Sequence, residues 1–212
     1  MNNLIDIITV TIIGILLTTS TAFIIWYNAK SFPKEDARTL KLWALGLFLQ
    51  PLAWMVFSYR GNVPEPTLSI IANLLIIGGF SLFTKAMREF IAIKNVDVLL
   101  IATLLLVGIA IGLFTIFWPN FSAMVVINCF GSLIVLSLVL IPLRKALRHN
   151  NSQSQKIIFS VMLLGVVVLL ARMLEHLYHP RVGGNFLEPA FEDSLAVIYA
   201  ATGPVLASFG FL

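Results

Sequence analysis

The sequence predicts an all-α membrane protein of seven spanning helices, with the N-terminus outside and the C-terminus in the cytoplasm. Three observations carry that reading. Of the 212 residues, 59% are hydrophobic and 11% charged, where a soluble domain carries about 25% charge. The apolar residues form runs of roughly 20, the length at which a helix crosses a hydrocarbon core of about 30 Å. The bases between the runs are concentrated on one side. A soluble globular domain, a disordered tail and a secreted disulfide scaffold are thereby excluded. So are barrel strands, which alternate in polarity over about ten residues. The net charge of +4 points to no nucleic-acid partner, because its bases mark loop sidedness.

The spans run in order over Ile5–Tyr27, Leu42–Tyr59, Thr67–Thr84, Val98–Phe117, Ala123–Ile141, Ile157–Leu177 and Ser194–Leu212. The first run is long enough to cross and follows no basic region, so it is not a cleaved signal. Lys30, Lys34, Arg38 and Lys41 follow span one; Lys85, Arg88 and Lys94 follow span three; Arg144, Lys145, Arg148 and Lys156 follow span five. The opposite loops hold Arg60 and Arg181 alone, which sets the orientation by the excess of cytoplasmic bases. Trp26, Tyr27 and Trp43 at inner boundaries, and Tyr59, Trp118 and Tyr178 at outer ones, read as an interfacial aromatic belt. The third inner loop, RKALRHNNSQSQK, reads as a solvated connector. The single Cys129 permits no disulfide within the chain. The last span has no basic anchor after it, so the chain is expected to continue into a cytoplasmic domain.

Span six carries the candidate chemistry. Arg172, Glu175 and His176 stand at i, i+3 and i+4 and share one helix face. Arg172 lies in the outer third of the membrane, where a charge is costly unless it faces the bundle interior and pairs. Asn73, Asn128, Gln50 and Trp54 lie at similar depth on spans three, five and two. The expected ligand pocket is Arg172, Glu175, His176, Asn73, Trp54 and Asn128, open to the outer side and suited to a small ligand. The bland alternative is a set of interhelical hydrogen bonds, each worth about 0.6 kcal/mol. His176 and His179 are weak candidate metal ligands, since their spacing with nearby acids matches no metal signature, and no metal is expected. On span seven, Ala196, Ala200, Gly203, Ala207 and Gly210 recur at spacings of four and three. They form a small-residue seam for packing within the bundle or for a homodimer.

Several functions lose support. No lysine follows Lys156, so no Schiff-base site for retinal exists on the last span. Gly-x-Ser-x-Gly, His-Glu-x-x-His and phosphate-binding glycine motifs are missing from the sequence. Acids inside the spans are too few for a typical proton-coupled transporter. A small transporter or channel remains the competing class, and it would need a polar path past Gln50.

The run from Tyr59 to Phe90, YRGNVPEPTLSIIANLLIIGGFSLFTKAMREF, resembles the second-to-third-helix region of bacterial membrane-bound diguanylate cyclases. Arg60, Gly61, Pro64, Asn73, Gly78 and Phe90 stand at the places that carry the likeness. Arg172 and the closing run GPVLASFGFL are also similar to that family. The resemblance implies a sensory input domain in the bacterial inner membrane. Its last helix would lead through a coiled linker into a GGDEF domain that makes cyclic di-GMP from two GTP in a dimer. This chain holds no GGDEF motif, so no catalytic residue is expected in it; Mg²⁺ and GTP would belong to the following domain. Some histidine kinases carry comparable seven-helix regions, which leaves that output as an alternative.

Overall fold

A computed structural model describes residues 7–58, 65–93, 96–149, 152–180 and 191–210. They form seven α-helices: α1 Ile7–Asn28, α2 Lys34–Ser58, α3 Glu65–Phe90, α4 Asp97–Ile116, α5 Phe121–His149, α6 Gln153–Tyr178 and α7 Phe191–Ser208. A 3₁₀ turn, Ala29–Ser31, links the first two. No strand occurs among the described residues. The first six are long and apolar enough to cross a membrane; in α7 the apolar stretch Leu195–Ser208 is shorter. By length and composition this is a multi-pass membrane protein.

The helices reach further than the apolar runs at the end that carries the clustered bases, called the basic end below. Helix α2 begins directly after Pro33, whose carbonyl accepts from Ala37 N at 2.8 Å. Glu35 and Asp36 occupy the first turn, where the unpaired amides favour acids. Helix α5 continues through Arg144, Lys145 and Arg148 to His149, because cations suit a helix C-terminus. The expected third inner connector is therefore mostly helix: α5 ends at His149 and α6 starts at Gln153.

Each helix packs on its sequence neighbours, and α7 returns to α1, so the bundle closes into a ring. Helix α4 stands outside, against α3 and α5, which also touch each other. Its far side exposes Leu105, Leu106 and Ile109, an apolar face suited to lipid. Burial of the opposite side, through Leu100, Val107 and Ile111, explains why an almost wholly apolar helix still has a fixed rotation.

Trp43 departs from the interfacial position expected of it. It is 1% exposed, its ring centroid lies 4.6 Å from that of Phe83, and Nε1 donates to Ser208 Oγ of α7 at 2.9 Å. Ser208 Oγ in turn donates to Pro204 O at 2.7 Å. The early start of α2 is the reason: Trp43 lies nine residues inside the helix, about 13 Å from its beginning. Trp26, Tyr27, Trp118 and Tyr178 are exposed, as interfacial rings require.

Pro142 lies inside α5 and lacks the N–H that would donate to the Leu138 carbonyl. Arg88 Nη1 of α3 donates to that carbonyl instead, at 2.6 Å. One sequence feature thus opens an acceptor on α5, and a base at the end of α3 fills it. Arg88→Met should cost about 1 kcal/mol, the low end of the penalty for an acceptor left unmade, because this bond is part-buried. Adding Pro142→Ala should recover much of the loss by restoring a helix N–H. Unfolding titrations in denaturing detergent measure both variants; additive losses in the double variant would refute the account.

Candidate functional site

Five of the ring helices enclose a cavity of about 80 Å³ in the half of the bundle opposite the basic end. That is room for several waters or one small ligand group. Its polar walls are Gln50 of α2, Ser69 and Asn73 of α3, Asn128 and Ser132 of α5 and Arg172 of α6. Its aromatic walls are Trp54, Phe57, Phe80, Phe121 and Tyr199. Among the described residues, α1 and α4 contribute none to the lining.

The depths agree because the polar residues sit at similar distances from the helix ends on this side. Asn73 is eight residues into α3, Asn128 seven into α5, and Arg172 six before the end of α6. At 1.5 Å per residue all three stand about 9–12 Å below the helix ends. In helices this apolar, polar side chains turn inward because lipid offers them no partner.

The amides are held differently. Asn73 Nδ2 donates to Ser69 O at 2.7 Å, and Gln50 Nε2 donates across to Ile76 O of α3 at 3.3 Å. Asn128 is 7% exposed and Ser132 1%. Neither Asn128 Oδ1 nor Ser132 Oγ has a hydrogen-bond partner among the described residues. Native structures rarely leave such atoms unpaired. Two on adjacent turns of α5, in the wall of one cavity beside a guanidinium, suit a polar guest.

The basic-side end of the cavity is closed by Phe80 and Tyr199, which also line a smaller void of about 20 Å³ beneath it. That void is walled by apolar groups, among them Trp43, Phe83, Leu136 and Met162. Tyr199 Oη donates to Val161 O of α6 at 3.1 Å. The ring fits because Gly165 has no side chain; a Cβ there would overlap Tyr199 Oη. A polar path past Gln50, which a transporter or channel requires, meets this apolar plug.

Of the pocket residues expected from sequence, Arg172, Asn73, Trp54 and Asn128 line this one cavity, and Glu175 and His176 do not. His176 is 2% exposed, with Nδ1 3.2 Å from Ser122 Oγ and its ring edge-on to Phe121 at 5.6 Å between centroids. It is an enclosed packing residue of the α5–α6 contact, unlike the exposed His179. Among the described residues no three His, Cys, Asp or Glu come together as a metal site would need. Tyr59, Arg60, Gly61, Pro64, Lys94 and Arg181 lie outside the described residues.

The small-residue seam of α7 faces inward. Ala196 and Ala200 line the cavity, Gly203 and Ala207 line the smaller void, and a Cβ on Gly210 would meet Ser154 O of α6 at 2.8 Å. Packing within the bundle is its role here, so a dimer cannot use these residues without opening the ring. The lining residues that sequence reasoning missed include Ser132, Ser69, Phe57, Phe80, Phe121 and Tyr199. A serine one turn beyond Asn128 on the same helix face was the available signal for the first; aromatics on apolar helices carry none. No family model, curated protein or solved structure matches the chain.

Proposed function

We propose that this chain is the signal-input domain of a bacterial inner-membrane receptor, with its N-terminus outside and its C-terminus in the cytoplasm. A small amphipathic ligand enters the outer cavity, and α7 carries the response to a cytoplasmic output domain. One observation carries the reading: α7 supplies a wall of the cavity through Ala196, Val197, Tyr199 and Ala200. The same helix is tied to α6 by Tyr199 and to α2 by Ser208. A guest in the cavity therefore touches the helix to which this reading gives the response. Ligand binding shifts the packing only if it favours one arrangement over another, and contact with α7 provides that difference.

The walls indicate the ligand chemistry. Arg172 suits an anionic or strongly accepting group. Asn128 Oδ1 suits a donor, and the aromatic walls suit an apolar body. The resemblance over Tyr59–Phe90 makes a diguanylate cyclase the favoured output. A homodimer through α7 would use its outward stripe of Leu195, Thr202, Leu206 and Phe209, all exposed in the single chain.

The test follows cyclic di-GMP in cells expressing the complete reading frame. Ala200→Leu places a branched side chain in the cavity wall on α7. It should move cyclic di-GMP at least about threefold, as expected of a population shift of about 0.7 kcal/mol. An unchanged level, with insertion and abundance as in the parent, would overturn the reading.

A further inference from the structure

The first three turns of α2 carry a face that changes character along its length. Lys34, Ala37, Arg38 and Lys41 recur at spacings of three and four, and Leu42 and Leu45 continue the same face. Together with Trp26 at the end of α1 they line an open groove of about 440 Å³. Lys41 Nζ stands 5.8 Å from the Trp26 ring centroid. Just beyond, Lys30 Nζ stands 5.4 Å from the Tyr27 ring. From Lys34 to Leu45 the groove runs eleven residues, about 16 Å along the helix.

Its chemistry selects an occupant. Three cations at one end favour a phosphate. The Arg38 guanidinium lies 3.4 Å from a Glu89 carboxylate oxygen, but its side chain is 67% exposed, so this pair is screened by water and neutralises the cluster only in part. Glu35 and Asp36 line the neighbouring groove with Lys85, Arg88 and Glu89, and Arg38 stands on the ridge between the two, so Lys34 and Lys41 are the cations that belong to the first groove alone. The other end, Leu42 and Leu45, is apolar, and Leu45 and Trp26 are exposed. A soluble anion would satisfy the bases and leave the leucines uncovered. A zwitterionic lipid would cover the leucines without answering the charge. We propose that the α1–α2 groove seats one anionic phospholipid of the phosphatidylglycerol type. Lys34, Arg38 and Lys41 hold its phosphate, Trp26 lies beside its glycerol, and Leu42 and Leu45 take the first part of an acyl chain. Clusters of bases at this level attract anionic lipid in general; the distinguishing claim is a seat at Trp26.

Trp26 reports on its own neighbour. The protein is placed in phosphatidylcholine nanodiscs in which a fifth of the lipid is replaced by chain-brominated phosphatidylglycerol or by chain-brominated phosphatidylcholine. The Trp26 contribution is the difference from Trp26→Phe. Brominated phosphatidylglycerol should quench that contribution at least about threefold more than brominated phosphatidylcholine. The double variant Lys34→Gln/Lys41→Gln should bring the two to equality. Both side chains are exposed, so folding is spared. Arg144→Gln/Arg148→Gln, which removes two exposed bases from the same end of the bundle, should leave the preference intact. Three results overturn the proposal: equal quenching by the two lipids in the parent, loss of the preference in the Arg144/Arg148 control, or its abolition by soluble glycerol 3-phosphate at millimolar concentration.

Discussion

Gly79→Leu should separate α2 from α3 and leave the protein about 2–3 kcal/mol less stable, the scale of overpacking a closely fitted contact. These two helices share the most extensive contact in the bundle, and two glycines make it. A Cβ on Gly79 would lie 3.1 Å from Gly46 O and would overlap Gln50 Nε2. A Cβ on Gly46 would lie 3.0 Å from Gly79 O and 2.6 Å from Phe83 Cε1. The obstacle on both sides includes backbone, which no rotamer change removes. A leucine must push the helices apart, and α2 and α3 together carry Gln50, Trp54, Ser69 and Asn73 to the cavity. Loss of stability should therefore come with loss of any ligand response. The neighbouring glycine supplies the control. A Cβ on Gly78 meets only Leu49 Cδ1, at 3.4 Å, so Gly78→Ala should cost little and Gly79→Ala clearly more. Unfolding titrations in denaturing detergent measure all three, and equal losses for the two alanine variants would sink the close-crossing account.

The same contrast explains what the sequence could disclose. Apolar length located the seven described helices, six of them long and apolar enough to cross a bilayer, because a bilayer imposes that length on any spanning segment. It misjudged the basic ends, where Lys34–Lys41 and Arg144–His149 are polar yet helical: hydropathy registers lipid contact, whereas the backbone needs only good helix formers and a favourable terminal dipole. Arg172, Asn73, Asn128 and Trp54 were legible as neighbours because residue counts from the helix ends convert directly to depth. Rotation about each helix axis was less legible. His176 and Glu175, one turn from Arg172, were grouped with it on face alone, and His176 proved to point between α5 and α6 toward Ser122. Trp43, Phe80 and Tyr199 were invisible as interior groups because an aromatic ring is equally at home in lipid and in a core. The seam from Ala196 to Gly210 was ambiguous for a related reason: small residues promote close packing without naming the partner helix.

Asn128→Leu should show its effect in the stability of the protein alone, and Arg172→Ala in its ligand binding. Asn128 Oδ1 is a buried acceptor with no described partner, so replacing the amide with an apolar side chain of similar size removes a desolvation penalty. The variant should be as stable as its parent or more so, by up to about 1 kcal/mol. A gain in stability from deleting a polar group is the mark of a site kept for function. Arg172→Ala removes a cation from the cavity wall and should weaken binding of a small aromatic carboxylate at least about tenfold, the equivalent of about 1.4 kcal/mol. Arg172→Lys should restore part of that affinity, since it keeps the charge and loses the planar fork. Benzoate is a suitable probe: its carboxylate suits Arg172 and its ring suits the aromatic walls of Trp54, Phe57 and Phe121, which must part to admit it, since the cavity of about 80 Å³ is smaller than the ~150 Å³ that holds a benzene ring in an apolar core. Thermal unfolding in detergent, with and without benzoate, reads both quantities at once, since a ligand that binds only the folded state raises the midpoint. A midpoint that rises equally in the parent and in Arg172→Ala would remove the arginine from the site. An Asn128→Leu protein less stable than its parent would show that the amide serves the fold, and the polar cluster would then be a packing device.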